Sequence, residues 1–181
     1  DLIAIIDADD VAGSSRLAVQ ADQMERQSDY AVLACRCTPS LSALMQSPVA
    51  DVSVRTVEPR EFIRNNAICH SGSMICRKAL LEIGGYDEDR TELFDYDLWL
   101  RFLAQGYRIG EIDIPLVYKR LHKGQNFERG KRLNYLLSAY RCKQRVLKAF
   151  PHTFRDRFYP IATFIYGLLP IGVRRLLMKW R

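Results

Sequence analysis

Carboxylates nearly vanish from the last third of this chain, where residues 118–181 hold 2 Asp+Glu against 16 Lys+Arg. That imbalance rules out a charge-neutral tail and makes the segment attractive to phosphates, whether on a nucleotide, a membrane or a nucleic acid. No apolar run reaches the roughly 18 residues that cross a bilayer, so no spanning segment is expected in this sequence. Cysteine is sparse and badly spaced for a framework: Cys35, Cys37, Cys69, Cys76 and Cys142 are an odd set with no CxxC. Neither a zinc site nor a disulfide scaffold is indicated, and reduced thiols in a cytoplasmic protein are expected, with peripheral attachment to the inner face of the membrane. No nucleic-acid-binding motif is present, so no nucleic acid is expected as a partner.

What is present begins with Leu2-Ile3-Ala4-Ile5-Ile6, an apolar run closed by Asp7, Asp9 and Asp10. The run reads as a strand buried on both faces, as in an α/β sheet, with its acids at the carboxyl end where such sheets bind ligands. On extended chain Asp7 and Asp9 point the same way, and two hard oxygen donors suit Mg²⁺ or Mn²⁺ carrying a phosphate. Asp clusters after strands also serve simply as turn formers or helix caps. The chain starts on a core strand with nothing before it, which gives the expectation that it is the later part of a longer protein.

A helix capped by Ser14 or Ser15 is expected next, with Leu17, Ala21 and Met24 on its packed face. Tyr30–Cys35 reads as a strand, Thr38–Val57 as a loop, and Glu58–Asn65 as a short helix with Pro59 in its first turn. Cys69–Gly85 divides into a loop, a short strand and a short helix, closed by Gly84 or Gly85 in a left-handed cap. Asp95–Leu103 is a helix ended by Gly106, and Tyr107–Ile112 and Leu116–Arg120 are two further strands. Beyond residue 130 the character is helical and basic, with a stripe of Leu133, Leu136, Leu137 and Tyr140, then apolar Pro160–Val173. At the terminus Val173, Leu176, Leu177 and Trp180 share one face, with Arg174, Arg175, Lys179 and Arg181 elsewhere. Residues 158–181 therefore suit an anionic membrane surface, or a helix packed on the preceding domain.

In order along the chain stand Asp-Ala-Asp-Asp after a strand, His-Ser-Gly-Ser-Met-Ile-Cys-Arg-Lys-Ala-Leu, Gly-Gly-Tyr-Asp-Glu, Asp-Tyr-Asp-Leu-Trp-Leu-Arg and Tyr-Lys-Arg-Leu-His. Together, over residues 1 to about 126, they resemble the later half of family 2 glycosyltransferases. The resemblance implies an α/β chain with a partial GT-A fold and a mixed sheet over 1–126, followed by a helical extension over 127–181. It implies inverting transfer of a sugar from a nucleotide-sugar donor to a glycan or lipid-linked acceptor. Asp7 and Asp9 become the DxD motif, holding Mn²⁺ or Mg²⁺ against the donor diphosphate, with His122 completing the metal site. His70, Ser71 and Gly72 then lie near donor or acceptor, and Arg120 near phosphate.

An inverting displacement needs a base for the acceptor hydroxyl. Asp97 stands four residues before Arg101 and suits a surface ion pair, whereas Asp95 lies on the side of Leu98, Trp99 and Phe102, so Asp95 is the expected base. The family usually has Glu before that Asp; here it is Phe94. Asp95 also suits a helix cap, and Trp99 suits the core better than a sugar. Since the half that holds the nucleotide base is absent, the 181 residues alone are expected to bind donor weakly and turn over little. Two rivals share some features: a haloacid dehalogenase-type phosphatase with Asp7 as nucleophile, and a non-catalytic basic module for lipid or nucleic acid.

Overall fold

The computed structural model describes residues 1–46, 52–120, 132–170 and 172–174. The elements are β1 (Leu2–Ala4), β2 (Val11–Ala12), α1 (Arg16–Arg26), β3 (Tyr30–Thr38), α2 (Leu41–Met45), β4 (Val54–Thr56) and α3 (Glu61–Arg64). A 3₁₀ turn at His70–Gly72 leads to β5 (Ser73–Cys76), α4 (Arg77–Glu82), α5 (Phe94–Ala104) and β6 (Arg108–Tyr118). The chain continues through α6 (Arg132–Ala149), a 3₁₀ turn at Phe154–Phe158 and α7 (Tyr159–Leu168).

The sheet is mixed, in the order β1-β5-β3-β6-β2, with β4 also on β6; β3 and β6 are parallel and the other pairs antiparallel. The strand buried on both faces is β3. Its alternating side chains feed two cores, Val32 and Ala34 packing with Phe62, Leu98, Trp99 and Phe102, while Leu33 and Cys35 pack with Val19, Met24, Ile112 and Leu116. Helix α5 is buried almost all round because α6 covers the side that the sheet does not, adding Cys142 and Val146 to the same core.

Several expectations need correction. β1 is an edge strand paired only with β5: Ile3 and Ile5 pack inward, but Leu2 (40%) and Ile6 (45%) are exposed. An all-apolar strand hides which face is covered, because its sequence carries no alternation. Leu17 is 57% exposed, and the packed stripe of α1 is Arg16, Val19, Gln20 and Met24. The Thr38–Val57 stretch contains α2 and β4. β6 is one strand, with Pro115 opposite Arg36 between register shifts of the β3 pairing; proline donates no ladder hydrogen bond and is accommodated at such an irregularity. Cys37 and Cys69 form a disulfide, with Cα atoms 6.4 Å apart, so the thiols are not all reduced. Bringing β5 beside β3 places the two cysteines together, which spacing alone does not reveal.

Arg16 and Gln20 do more than line α1. Arg16 Nη2 donates to the Ile5 carbonyl at 2.7 Å and the Ser73 carbonyl at 3.1 Å, and Nε donates to Gln20 Oε1 at 2.9 Å. Gln20 Nε2 donates to the carbonyls of Leu33 (2.7 Å) and Gly72 (2.9 Å). Burial lowers the Arg16 pKa, yet the carbonyls around it keep the cation satisfied. The pair ties the end of β1 to the His70–Gly72 turn. Arg16→Met leaves two carbonyls and Gln20 short of a donor and is expected to cost about 2–3 kcal/mol, read as a lower urea midpoint with unchanged m-value.

Candidate active site

After β1 the chain turns sharply. Asp10 N donates to the Asp7 carbonyl at 3.1 Å, so Asp7-Ala8-Asp9-Asp10 is a turn and not extended chain, and the extended-chain argument for convergence of Asp7 and Asp9 does not apply. The turn is fastened to the end of β6, since Arg120 N donates to Asp10 Oδ1 at 3.0 Å. Asp10 Oδ2 is buried with no hydrogen-bond partner among the described residues. Lys119 Nζ stands 4.0 Å from Asp7 Oδ2, adding a cation that the sequence reading did not single out.

Across from the turn sits His70. Its Nδ1 is 3.5 Å from Asp7 Oδ1, and its Nε2 shares a 3.0 Å hydrogen bond with the Tyr86 hydroxyl. A carboxylate beside Nδ1 favours the ring proton there, leaving Nε2 to accept from the phenol. Phe94 and Trp99 pack edge-on or tilted against the same imidazole, 5.3 and 6.2 Å between ring centres. Ser71 and Gly72 are buried behind it. Gly72 is needed because a Cβ there would lie 2.6 Å from the Cys35 carbonyl, so the backbone that approaches it is the chain's own. Trp99 is core, as expected.

Asp95 lies in the first turn of α5. Its Oδ2 accepts from Asn66 Nδ2 at 2.6 Å and its Oδ1 from the Tyr96 N–H at 2.8 Å. Leu93, immediately before the helix, holds φ +52°, the left-handed region that a leucine rarely enters and that tends to persist at functional sites. Asp97 is not the surface residue expected: it is 3% exposed, with Arg101 Nε at 2.9 Å, Arg90 Nη2 at 3.2 Å, and Arg145 also bonded to it.

Tyr86 joins the two acid clusters. Burial pushes its phenol up to about 12, and the negative charges of Asp95 and Asp7 add to the shift. The hydroxyl therefore stays protonated at neutral pH and is available as a donor. A cleft of about 580 Å³ opens beside His70 and Tyr86, with Ile6, Asp87, Glu88, Arg90 and Phe94 also among its lining residues; Asp7 and Asp95 stand next to it and do not line it. Thus Asp7, His70 and Tyr86 form one chain of contacts, with Asp95 within electrostatic reach of Tyr86 and Arg120 held at the far side of the turn. Among the described residues no three His, Cys, Asp or Glu form a ready metal cage. Hard carboxylate oxygens on a tight turn do fit Mg²⁺ or Mn²⁺ shared with substrate phosphates, which needs only one or two protein ligands. His122 and residues 175–181 lie outside the described residues.

Over 144 residues the chain is 27% identical to an uncharacterised glycosyltransferase of Methanocaldococcus jannaschii. This chain is similar to a glycosyltransferase. The match covers 78% of the chain and 49% of that protein, so the chain spans about half the length of the curated relative. No family model matches. Tyr86, Asn66 and Lys119 were missed in the sequence because each gains meaning only from a partner distant along the chain, His70, Asp95 and Asp7 respectively; the Gly-Gly-Tyr-Asp-Glu motif was the one available signal for Tyr86.

Proposed function

We propose that the chain forms the diphosphate and general-base side of an inverting, metal-assisted glycosyltransferase of the family 2, GT-A type. The observation that carries the reading is the Asp7–His70–Tyr86 chain, with His70 Nδ1 3.5 Å from Asp7 Oδ1 and Nε2 3.0 Å from the Tyr86 hydroxyl, which lies within electrostatic reach of Asp95. Asp95 takes the proton of an acceptor hydroxyl as that oxygen bonds to the anomeric carbon. The bond from that carbon to the donor's diphosphate breaks on the opposite face, and the nucleoside diphosphate leaves with the electron pair. Asp7 and Asp9 would hold Mn²⁺ or Mg²⁺, which supplies neutralising charge for the departing diphosphate. Lys119 and Arg120 add fixed positive charge beside the turn, and His70, held by Asp7, keeps Tyr86 aimed into the cleft.

The acceptor is a glycan or a lipid-linked glycan. Among the described residues no helix is long and apolar enough to cross a membrane. The outer face of α7 nevertheless exposes Ile161, Ile165 and Leu168, next to exposed Phe154 and Phe158 with Arg155 and Arg157 between them. Apolar and basic side chains in that arrangement suit the surface of an anionic membrane.

The test uses the full polypeptide that the gene encodes, a panel of nucleotide-sugars, and proton NMR of the product. Transfer with inverted anomeric configuration is expected, and Asp9→Asn should weaken metal-dependent donor binding by at least about tenfold. Retention of configuration, or donor binding indifferent to both metal and Asp9, contradicts the reading.

A further inference from the structure

A second cavity, of about 510 Å³, lies on the other side of Asp95, between α3, the start of α5, α6 and α7. Its wall is mostly apolar and aromatic, with Leu93, Tyr135, Leu136, Tyr140, Phe164 and Pro160 among the lining residues. Mixed apolar walls with a few placed polar groups are what small-molecule sites of this size have in common. The charged groups here are of one sign. Among the described residues Lys143, Arg64 and Arg174 line the cavity and no carboxylate does.

Lys143 is the unusual member. It is 6% exposed, its Nζ donates to the Arg64 carbonyl at 2.9 Å and to Thr163 Oγ1 at 3.0 Å, and among the described residues it is paired with no carboxylate. An ammonium has three protons to donate, and two partners leave one over. Burial lowers its pKa to about 8, the mark of a cation without a counter-charge. A buried lysine of this kind weakens the fold by itself and gains from an anion entering the cavity.

Asp95 stands at the partition between the two cavities. Asn66, which donates to Asp95, lines the second cavity, as do Leu93 and Tyr96 on either side of the Phe94–Asp95 pair; Phe94 lines the first cleft. The negative charge of Asp95 also acts on Tyr135 in the cavity wall, whose phenol is raised first by burial and then by that carboxylate. Helix α7 turns Thr163, Phe164 and Gly167 into the cavity while its outer face carries exposed Ile161, Ile165 and Leu168. The cavity is therefore walled by the element best suited to lie against lipid.

We infer that this cavity is the lipid end of the acceptor subsite and takes the lipid phosphate of a lipid-linked glycan, its aliphatic chain against the aromatic wall and its phosphate at Lys143, so that a glycan hydroxyl, and not the phosphate, is what meets Asp95. The name acceptor rests on the transferase reading; the binding of an aliphatic phosphate does not. The experiment is titration of the full polypeptide with farnesyl phosphate by calorimetry, without donor or divalent metal, beside farnesol, inorganic phosphate and uridine diphosphate.

Saturable binding of farnesyl phosphate is expected, with farnesol and inorganic phosphate each at least tenfold weaker. Lys143→Met should weaken farnesyl phosphate at least tenfold while leaving farnesol unchanged, and Ala139→Trp, which fills the cavity, should abolish both. Unchanged farnesyl phosphate binding in Lys143→Met overturns the inference, as does competition by uridine diphosphate at the same site or equal affinity for farnesol. Because Lys143→Met removes an unpaired buried charge and keeps the chain length, it remains informative if Ala139→Trp fails to fold. Transfer to a soluble glycan with no farnesyl phosphate binding overturns the subsite and leaves catalysis standing. Farnesyl phosphate binding without transfer to any acceptor does the reverse.

Discussion

Asp95→Asn is expected to lower kcat by about 10²–10⁴-fold, the range that a positioned general base contributes, while donor affinity changes by less than about twofold. Asparagine fits the same space: its carbonyl keeps the Tyr96 N–H that now bonds Asp95 at 2.8 Å, and turning the Asn66 amide, whose Oδ1 has no partner among the described residues, lets that oxygen accept from the new NH₂, so the local geometry survives. What disappears is the capacity to take a proton. If Asp95 served only the first turn of α5, losing its charge would cost about 0.3–1 kcal/mol of stability and leave turnover alone. Steady-state kinetics in the full polypeptide, with stability measured alongside, separates the two. A variant that loses stability and keeps kcat removes Asp95 from the chemistry.

The second large effect is on folding. Asp97→Ala is expected to cost about 3–5 kcal/mol, because it strands three guanidinium groups around a site that only one buried carboxylate serves. The carboxylate joins Arg101 of its own helix, Arg145 of α6 and Arg90 of the segment between α4 and α5, and Arg101 Nη1 donates in turn to the Ile83 carbonyl after α4 at 3.0 Å. Against a typical domain stability of about 5–15 kcal/mol, that loss is large. Urea denaturation followed by circular dichroism reads it directly. Should Asp97→Asn instead keep its midpoint and lose turnover, the division of labour between Asp95 and Asp97 is reversed.

Much of the architecture was legible where the local chemistry was unambiguous. The apolar Tyr30–Cys35 run, Gly85 at φ +69° after α4, and Gly106 at φ +82° after α5 each announced an element or its end. The separation of Asp95 from Asp97 was legible too, since helical spacing gave Asp97 to Arg101 and turned Asp95 elsewhere. What escaped depended on partners distant in sequence. Arg16 and Gln20 carry no local signal, yet they are buried against the carbonyls of Ile5, Ser73 and Leu33. Asp97 read as exposed because Arg90 and Arg145 come from other segments. The Cys37–Cys69 bond needed the β3–β5 pairing, and β6 is one strand instead of the two expected because the sheet absorbs Pro115 at an irregularity of the β3 pairing. Tyr86 is the clearest case: the Gly-Gly-Tyr-Asp-Glu motif marked its stretch, but its hydrogen bond to His70 depends on a fold that brings the two residues together.

The central claim is that the acids after β1 and Asp95 face one cleft that receives a metal-bound diphosphate. Paramagnetic broadening by Mn²⁺ with uridine diphosphate, followed in the NMR spectrum of the full polypeptide, tests it most directly. The account predicts broadening centred on Asp7–Asp10 that reaches His70, Tyr86 and Asp95, and its loss in Asp9→Asn. Broadening centred anywhere else in the chain, or at the Asp7–Asp10 turn without any effect on Tyr86 and Asp95, contradicts it.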